Sequence, residues 1–169
     1  MTLDRPAAAP PPGLARRLAA FTYEGLLLFG VLMVAGWLYG GLTQQRHALQ
    51  GRSGLQAFLF LVLAVYFVWF WSHGGQTVAL KAWRLRIERS DGGPVSQARA
   101  MARYLASWLW FLPSLLAVHL ADLHSAAAIG TTVMVGAIGY AATCYLHPRR
   151  QFLHDALCGT RIVDARRPA

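Results

Sequence analysis

The sequence predicts an all-α membrane protein: a four-transmembrane-helix bundle with an amphipathic cytoplasmic loop and room for a short two-stranded element. Three observations predict it. First, four apolar stretches dominate the chain, Leu18 to Leu38, Leu55 to Trp71, Leu105 to Leu120 and Ala126 to Leu146. They are long enough, or nearly so, to cross a hydrocarbon core of about 30 Å as helices. Second, 56% of the residues are hydrophobic and 14% charged, whereas a soluble domain carries nearer about a quarter charged. Third, the basic residues are lopsided. With an even number of spans, 14 of the 16 lysines and arginines fall on the two tails and the central loop. Only Arg46 and Arg52 fall on the other loops. That is a positive-inside pattern with both termini cytoplasmic.

The same arrangement accounts for the net charge of +9. The basic residues set topology and meet anionic lipid heads, so membrane lipids are the expected partner and nucleic acid is not. Cys144 and Cys158 lack zinc-site spacing, and neither falls in an oxidising compartment, so no disulfide is expected. Residues 1–15 read as a flexible N-terminal tail, 16–163 as one membrane domain and 164–169 as a C-terminal tail. The Ala/Pro run from Thr2 to Pro12 leads into a retained first helix. No signal-peptide cleavage site follows the apolar run in the usual place.

In span one, Gly36 and Gly40 have a small-xxx-small spacing that permits close helix approach. The polar loop from Gly41 to Gly54, with His47, is read as outside. Span two ends in Tyr66, Phe67, Trp69, Phe70 and Trp71, read as lipid-facing anchors at the inner boundary. Between Trp83 and Val95, Arg84, Arg86 and Glu88 alternate with Leu85 and Ile87, the period of a half-covered strand. Asp91-Gly92-Gly93-Pro94 is a turn, and Ser96 caps an interfacial helix, Gln97 to Arg103. Thr160 to Asp164 is a second strand-like run able to pair with the first.

Span three contains Pro113, which is expected to kink it. His119, Asp122 and His124 near its outer end are read as isolated polar turn residues, and no metal site is assigned. Gly130, Gly136 and Gly139 thin the faces of span four for packing. No serine or cysteine has an evident base and orienting partner, and no phosphate loop is present. Neither an enzyme nor a cofactor is expected.

Glu24 is the polar residue most in need of an explanation. It lies roughly 9 Å into span one, where a carboxylate is costly unless neutral, paired or open to water. Arg17 shares its face but sits about 10 Å away along the axis. Glu24 is therefore expected to point into the bundle, toward another element. It serves either as a device that orients helices or as a proton- or cation-binding group. At the inner membrane edge, Gly75 lets backbone approach a helix end and Thr77 can cap the turn. Lys81, Arg84 and His154 can pair with Asp155. That cluster is either a clamp on helix ends or a site for a lipid phosphate or transported anion.

Taken in order from Arg16 to Val163, these motifs resemble the RDD family of small bacterial membrane proteins. The family is named for one arginine and two aspartates. Arg17 matches the arginine at the start of the first helix. Glu24 stands at the position of the first aspartate, a departure that keeps charge but changes reach. Asp155, in His154-Asp155-Ala156-Leu157-Cys158-Gly159-Thr160, resembles the second. Gly75-Gln76-Thr77-Val78-Ala79-Leu80-Lys81 is similar to the family's glycine-threonine-lysine turn, with Ala79 where glycine is frequent. The resemblance implies an inner-membrane location and transport of an unidentified ion or small solute. The alternative is a non-transporting accessory or interaction module that supports a complex or lipid organisation. Four helices enclose little volume, so a homo-oligomer or a membrane-protein partner is expected.

Overall fold

The computed structural model describes residues 12–43, 52–145 and 150–165. The tail through Pro11 with Arg5, the loop residues Arg46 and His47, and Leu146, Arg149, Arg166 and Arg167 lie outside the described residues. The first apolar stretch becomes α1, Leu14–Leu42, longer at both ends than the sequence suggests. It extends back through Arg16 and Arg17, and the Arg16 side chain finds its partners in protein. The Arg16 guanidinium donates to the carbonyls of Trp83 and Arg84 and pairs with Asp164 at 2.5 Å.

The second stretch is α2, Arg52–Ser72. A short helix, α3 (Val78–Ala82), follows, then strand β1 (Leu85–Arg89) and helix α4 (Gln97–Ser107). The third stretch is broken rather than kinked. After a 3-10 turn at Trp108–Trp110, a new helix α5 runs over Leu112–Leu120, and the two halves bend by 40°. Pro113 explains the break. Its ring excludes the carbonyl of Leu109 from a continuous helix, but near a helix start its missing N–H is no loss. The fourth stretch is α6, Ala126–Ala142, ending in a 3-10 turn at Thr143–Tyr145. The chain closes with α7 (Leu153–Leu157) and strand β2 (Thr160–Asp164).

α1, α2 and the segment Ala126–Tyr145 are long and apolar enough to span a membrane, and the bent pair makes a fourth span if counted as one. The burial pattern fits a lipid solvent. The buried residues of α1 are Arg17, Ala20, Glu24 and Ala35, whereas Leu26, Phe29, Met33 and Trp37 face outward. Small and polar groups inside with large apolar groups outside is the reverse of a soluble helix, and it is what lipid contact favours. The fold is therefore the all-α membrane bundle that the sequence predicts.

Of the glycines singled out in the sequence, only Gly136 marks a close helix approach within the chain. A side chain there would collide with Ser114 of α5, whereas Gly36, Gly40, Gly130 and Gly139 face open space. β1 and β2 pair antiparallel, with Leu85 opposite Asp164 and Arg89 opposite Thr160. The period of two is visible in burial: Leu85 and Ile87 point into the core, and Arg86 points out. Glu88 and Arg161, directly opposite, are bonded at 2.6 Å. Gly75 fits against this sheet with φ +71, its carbonyl accepting from Ile87 N at 2.7 Å. Any Cβ there would strike the Ile87 carbonyl oxygen. The start of α1, the Trp83–Arg84 turn and the end of β2 thus meet at one end of the bundle.

Candidate functional site

Helical spacing puts Arg17, Ala20 and Glu24 on one inward stripe of α1. Arg17 and Glu24 do not pair. The Glu24 carboxylate accepts from Tyr66 Oη of α2 at 2.7 Å and from Thr77 Oγ1. Thr77 is itself the N-cap of α3, accepting from Leu80 N at 3.2 Å. One carboxylate therefore ties α1 to α2 and to the start of α3. The Arg17 guanidinium lies over the Phe152 ring, 4.7 Å from its centre. Its Nε is buried with no hydrogen-bond partner, and no ion pair involves Arg17 among the described residues.

The second polar centre corrects the expected clamp. Asp155 does not meet Lys81 or Arg84, which are exposed at the surface. It pairs with Arg103 of α4 through two contacts, Nε at 2.8 Å and a terminal nitrogen at 2.7 Å. The pair is almost fully buried, at 5% and 1% side-chain exposure. Thr160 Oγ1 adds a hydrogen bond to the same carboxylate at 3.1 Å. The Arg103 guanidinium also lies 4.2 Å over the Trp71 ring. α7 docks on α4 rather than on the 75–84 loop because the antiparallel register sets Thr160, just after α7, opposite Arg89, the end of β1 that leads to α4. The signal for Arg103 was present in the sequence. Ala100, Arg103, Tyr104 and Ser107 follow helical spacing, which places Arg103 on the apolar stripe of its helix.

The aromatic cluster at the end of α2 is also corrected. Trp69 is exposed, but Trp71 is buried under Arg103, the tilted Phe67 ring lies 4.7 Å from it, and Tyr66 bonds Glu24. Residues four apart share a face, so an anchor row cannot face lipid throughout. At the far turn, Asp122 and His124 form an exposed pair 3.2 Å apart.

His154 completes the buried network. Its Nδ1 lies 2.9 Å from Tyr140 Oη, its backbone N–H donates to the same oxygen, and Nε2 lies 3.4 Å from an Arg103 nitrogen. Arg103 can only donate, so a neutral ring accepts at Nε2 and carries its proton on Nδ1. Burial, aided by the Arg103 charge, pushes the His154 pKa down to about 4, and Asp155 only partly opposes this. For Asp155 burial works upward, but Arg103 and His154 hold its pKa below the usual carboxylate range.

A pH prediction follows. An unfolded histidine near pKa 6.5 binds its proton before the folded one does, so stability rises with pH between about 4 and 6.5. The contribution, roughly 2–4 kcal/mol, is complete at neutrality and lost as pH falls toward 4. Amide protection factors across α7, corrected for the intrinsic exchange rate at each pH, should fall several-fold between pH 7 and pH 5. His154→Gln should flatten that dependence. An unchanged slope in the variant would assign the effect to another group.

Between α1, α2, α4 and the 3-10 turn after it lies a cavity of about 350 Å³. Arg17, Glu24, Arg103 and His154 contribute its polar wall. Leu28, Leu32, Leu63 and Trp108 are among its apolar lining. Arg17, Glu24 and His154 thus border one space, with Thr77 and Asp155 one bond behind it. Gly75 serves the turn, and Lys81 and Arg84 stay outside. Among the described residues no cluster of histidine, cysteine and carboxylate groups is placed to hold a metal.

The family model for the RDD family matches residues 11–159. No curated protein and no solved structure matches the chain.

Proposed function

The chain belongs to the RDD family, and from that membership we propose that this integral membrane protein moves a small solute or ion across the bacterial inner membrane. Both termini would lie on the cytoplasmic side, the reading favoured by the basic residues gathered at the sheet end. The observation that carries the transport reading is the 350 Å³ cavity inside the bundle, lined by Glu24 and by Arg17, whose Nε has no partner among the described residues. A carboxylate facing a cavity in a membrane helix is a natural binding group for a coupling ion. One such bundle encloses little volume, so a homo-oligomer or a membrane-protein partner is part of the proposal. Outward Gly36, Gly40, Gly130 and Gly139 leave room for close helix approach.

The competing reading is a non-transporting accessory module, in which Glu24 only holds helices together. Flux of candidate ions and small solutes into vesicles containing the purified full chain separates the two. Uptake that rises with an imposed gradient is the expected result. No flux across a broad panel, with an intact complex recovered from native membrane, would favour the accessory role. Reporter fusions at Gly92 and Ala169 are expected to read cytoplasmic, and an outside signal at Gly92 would overturn the orientation.

A further inference from the structure

Arg17 is 94% buried by its 6% exposure, always charged, and lacks an acceptor for Nε. A buried guanidinium nitrogen without an acceptor is costly, and the ring of Phe152 meets only part of that need. The other buried cation, Arg103, is satisfied by Asp155. Glu24 is already engaged by two hydroxyls. The missing partner is therefore an acceptor-bearing group that the described residues do not supply.

The shape around Arg17 indicates what kind of group. The guanidinium borders two spaces. One is the 350 Å³ cavity, which follows α1 from Arg17 to Leu32, about 22 Å of helix. It is cationic at the Arg17 end and lined beyond Glu24 by Gly25, Leu28 and Leu32. The other is a smaller cavity of about 90 Å³, where Arg17 faces Arg150 and Tyr145. A cationic end at Arg17 and a long apolar slot beyond it match an anionic head with an apolar tail. Arginine's fork suits carboxylate or phosphate oxygens. The slot has the volume of a small-ligand site.

We infer that Arg17 binds the head of a singly tailed anionic amphiphile, or one tail and the phosphate of an anionic phospholipid, with the tail lying along α1 past Gly25. This deepens the transport reading by naming the substrate class of that cavity, and it rests on that reading only for whether the bound molecule is moved.

The test uses the purified full chain and 11-(dansylamino)undecanoate as the free-amphiphile probe. Saturable fluorescence enhancement is expected. Arg17→Gln should weaken it at least tenfold, and Arg86→Gln, on the exposed face of β1, should leave it unchanged. Gly25→Leu is the second variant. A Cβ there meets nothing within 4 Å, and leucine favours helix, so the chain should fold while the slot is filled. It too should weaken binding at least tenfold. In parallel, native mass spectrometry from bilayers with and without phosphatidylglycerol reads the lipid arm. One retained phosphatidylglycerol, lost in Arg17→Gln, assigns the site to lipid. Probe binding without a lipid adduct assigns it to a free amphiphile. Absence of both, or binding indifferent to both variants, overturns the site. Binding without flux would keep the site and remove transport. Flux with no Arg17-dependent binding would do the reverse.

Discussion

Arg103→Leu is expected to destabilise the protein by about 3–5 kcal/mol, because it strands the Asp155 carboxylate in a dry environment. Asp155 is 1% exposed, and among the described residues the Thr160 hydroxyl and the His154 ring, 3.7 Å away, would remain beside it. The guanidinium also caps the Trp71 ring, so packing is lost together with charge. Asp155→Asn should be costly for the opposite reason, leaving Arg103 buried without a counter-charge. Thermal unfolding in detergent reads the loss of stability. A cysteine pair at Arg86 and Val163, which face each other in the sheet, reads whether the tail stays docked. In a chain freed of Cys144 and Cys158, both single substitutions should sharply reduce crosslinking of that pair. The double change Arg103→Leu with Asp155→Leu should recover much of the stability, since neither charge is then left alone. A double variant no better than the singles would show that packing, not charge pairing, holds α7 to α4.

Glu24→Leu is expected to cost roughly 2–4 kcal/mol, the loss of acceptors for two largely enclosed hydroxyls. Tyr66 and Thr77 both donate to this carboxylate, and Thr77 is 1% exposed. Glu24→Gln keeps an oxygen for one or both donors and should stay within about 1 kcal/mol of the parent. The two substitutions separate holding from transport. If Glu24 carries a coupling proton, the glutamine variant folds and loses gradient-driven flux. If it only ties α1 to α2 and α3, the glutamine variant works and the leucine variant fails to assemble. Full function and stability in both would remove Glu24 from either role.

What the sequence determined by itself is the solvent. Four apolar stretches and a one-sided distribution of arginine are properties of segments, readable without any contact between them. The strand-like alternation around Leu85 and Ile87 and the cap at Ser96 were legible for the same reason, because a period or a cap is set by residues near each other in the chain. Glu24 could be assigned to the interior from its depth alone. Its partners were decided only by tertiary structure, since Tyr66 and Thr77 lie 42 and 53 residues away. Opposite charge, the glycine turn and the strand-like run after Gly159 favoured pairing Asp155 with the basic loop from Gly75 to Arg84. The actual partner, Arg103, depends on which face α4 turns inward and on the sheet that carries α7 beneath it. The break before Pro113 was a matter of position too. The same residue that kinks a helix interior can instead begin a new helix, and the turn at Trp108–Trp110 decides between them. Local chemistry fixes which residues must find partners, and only the packing of distant segments fixes which partners they find.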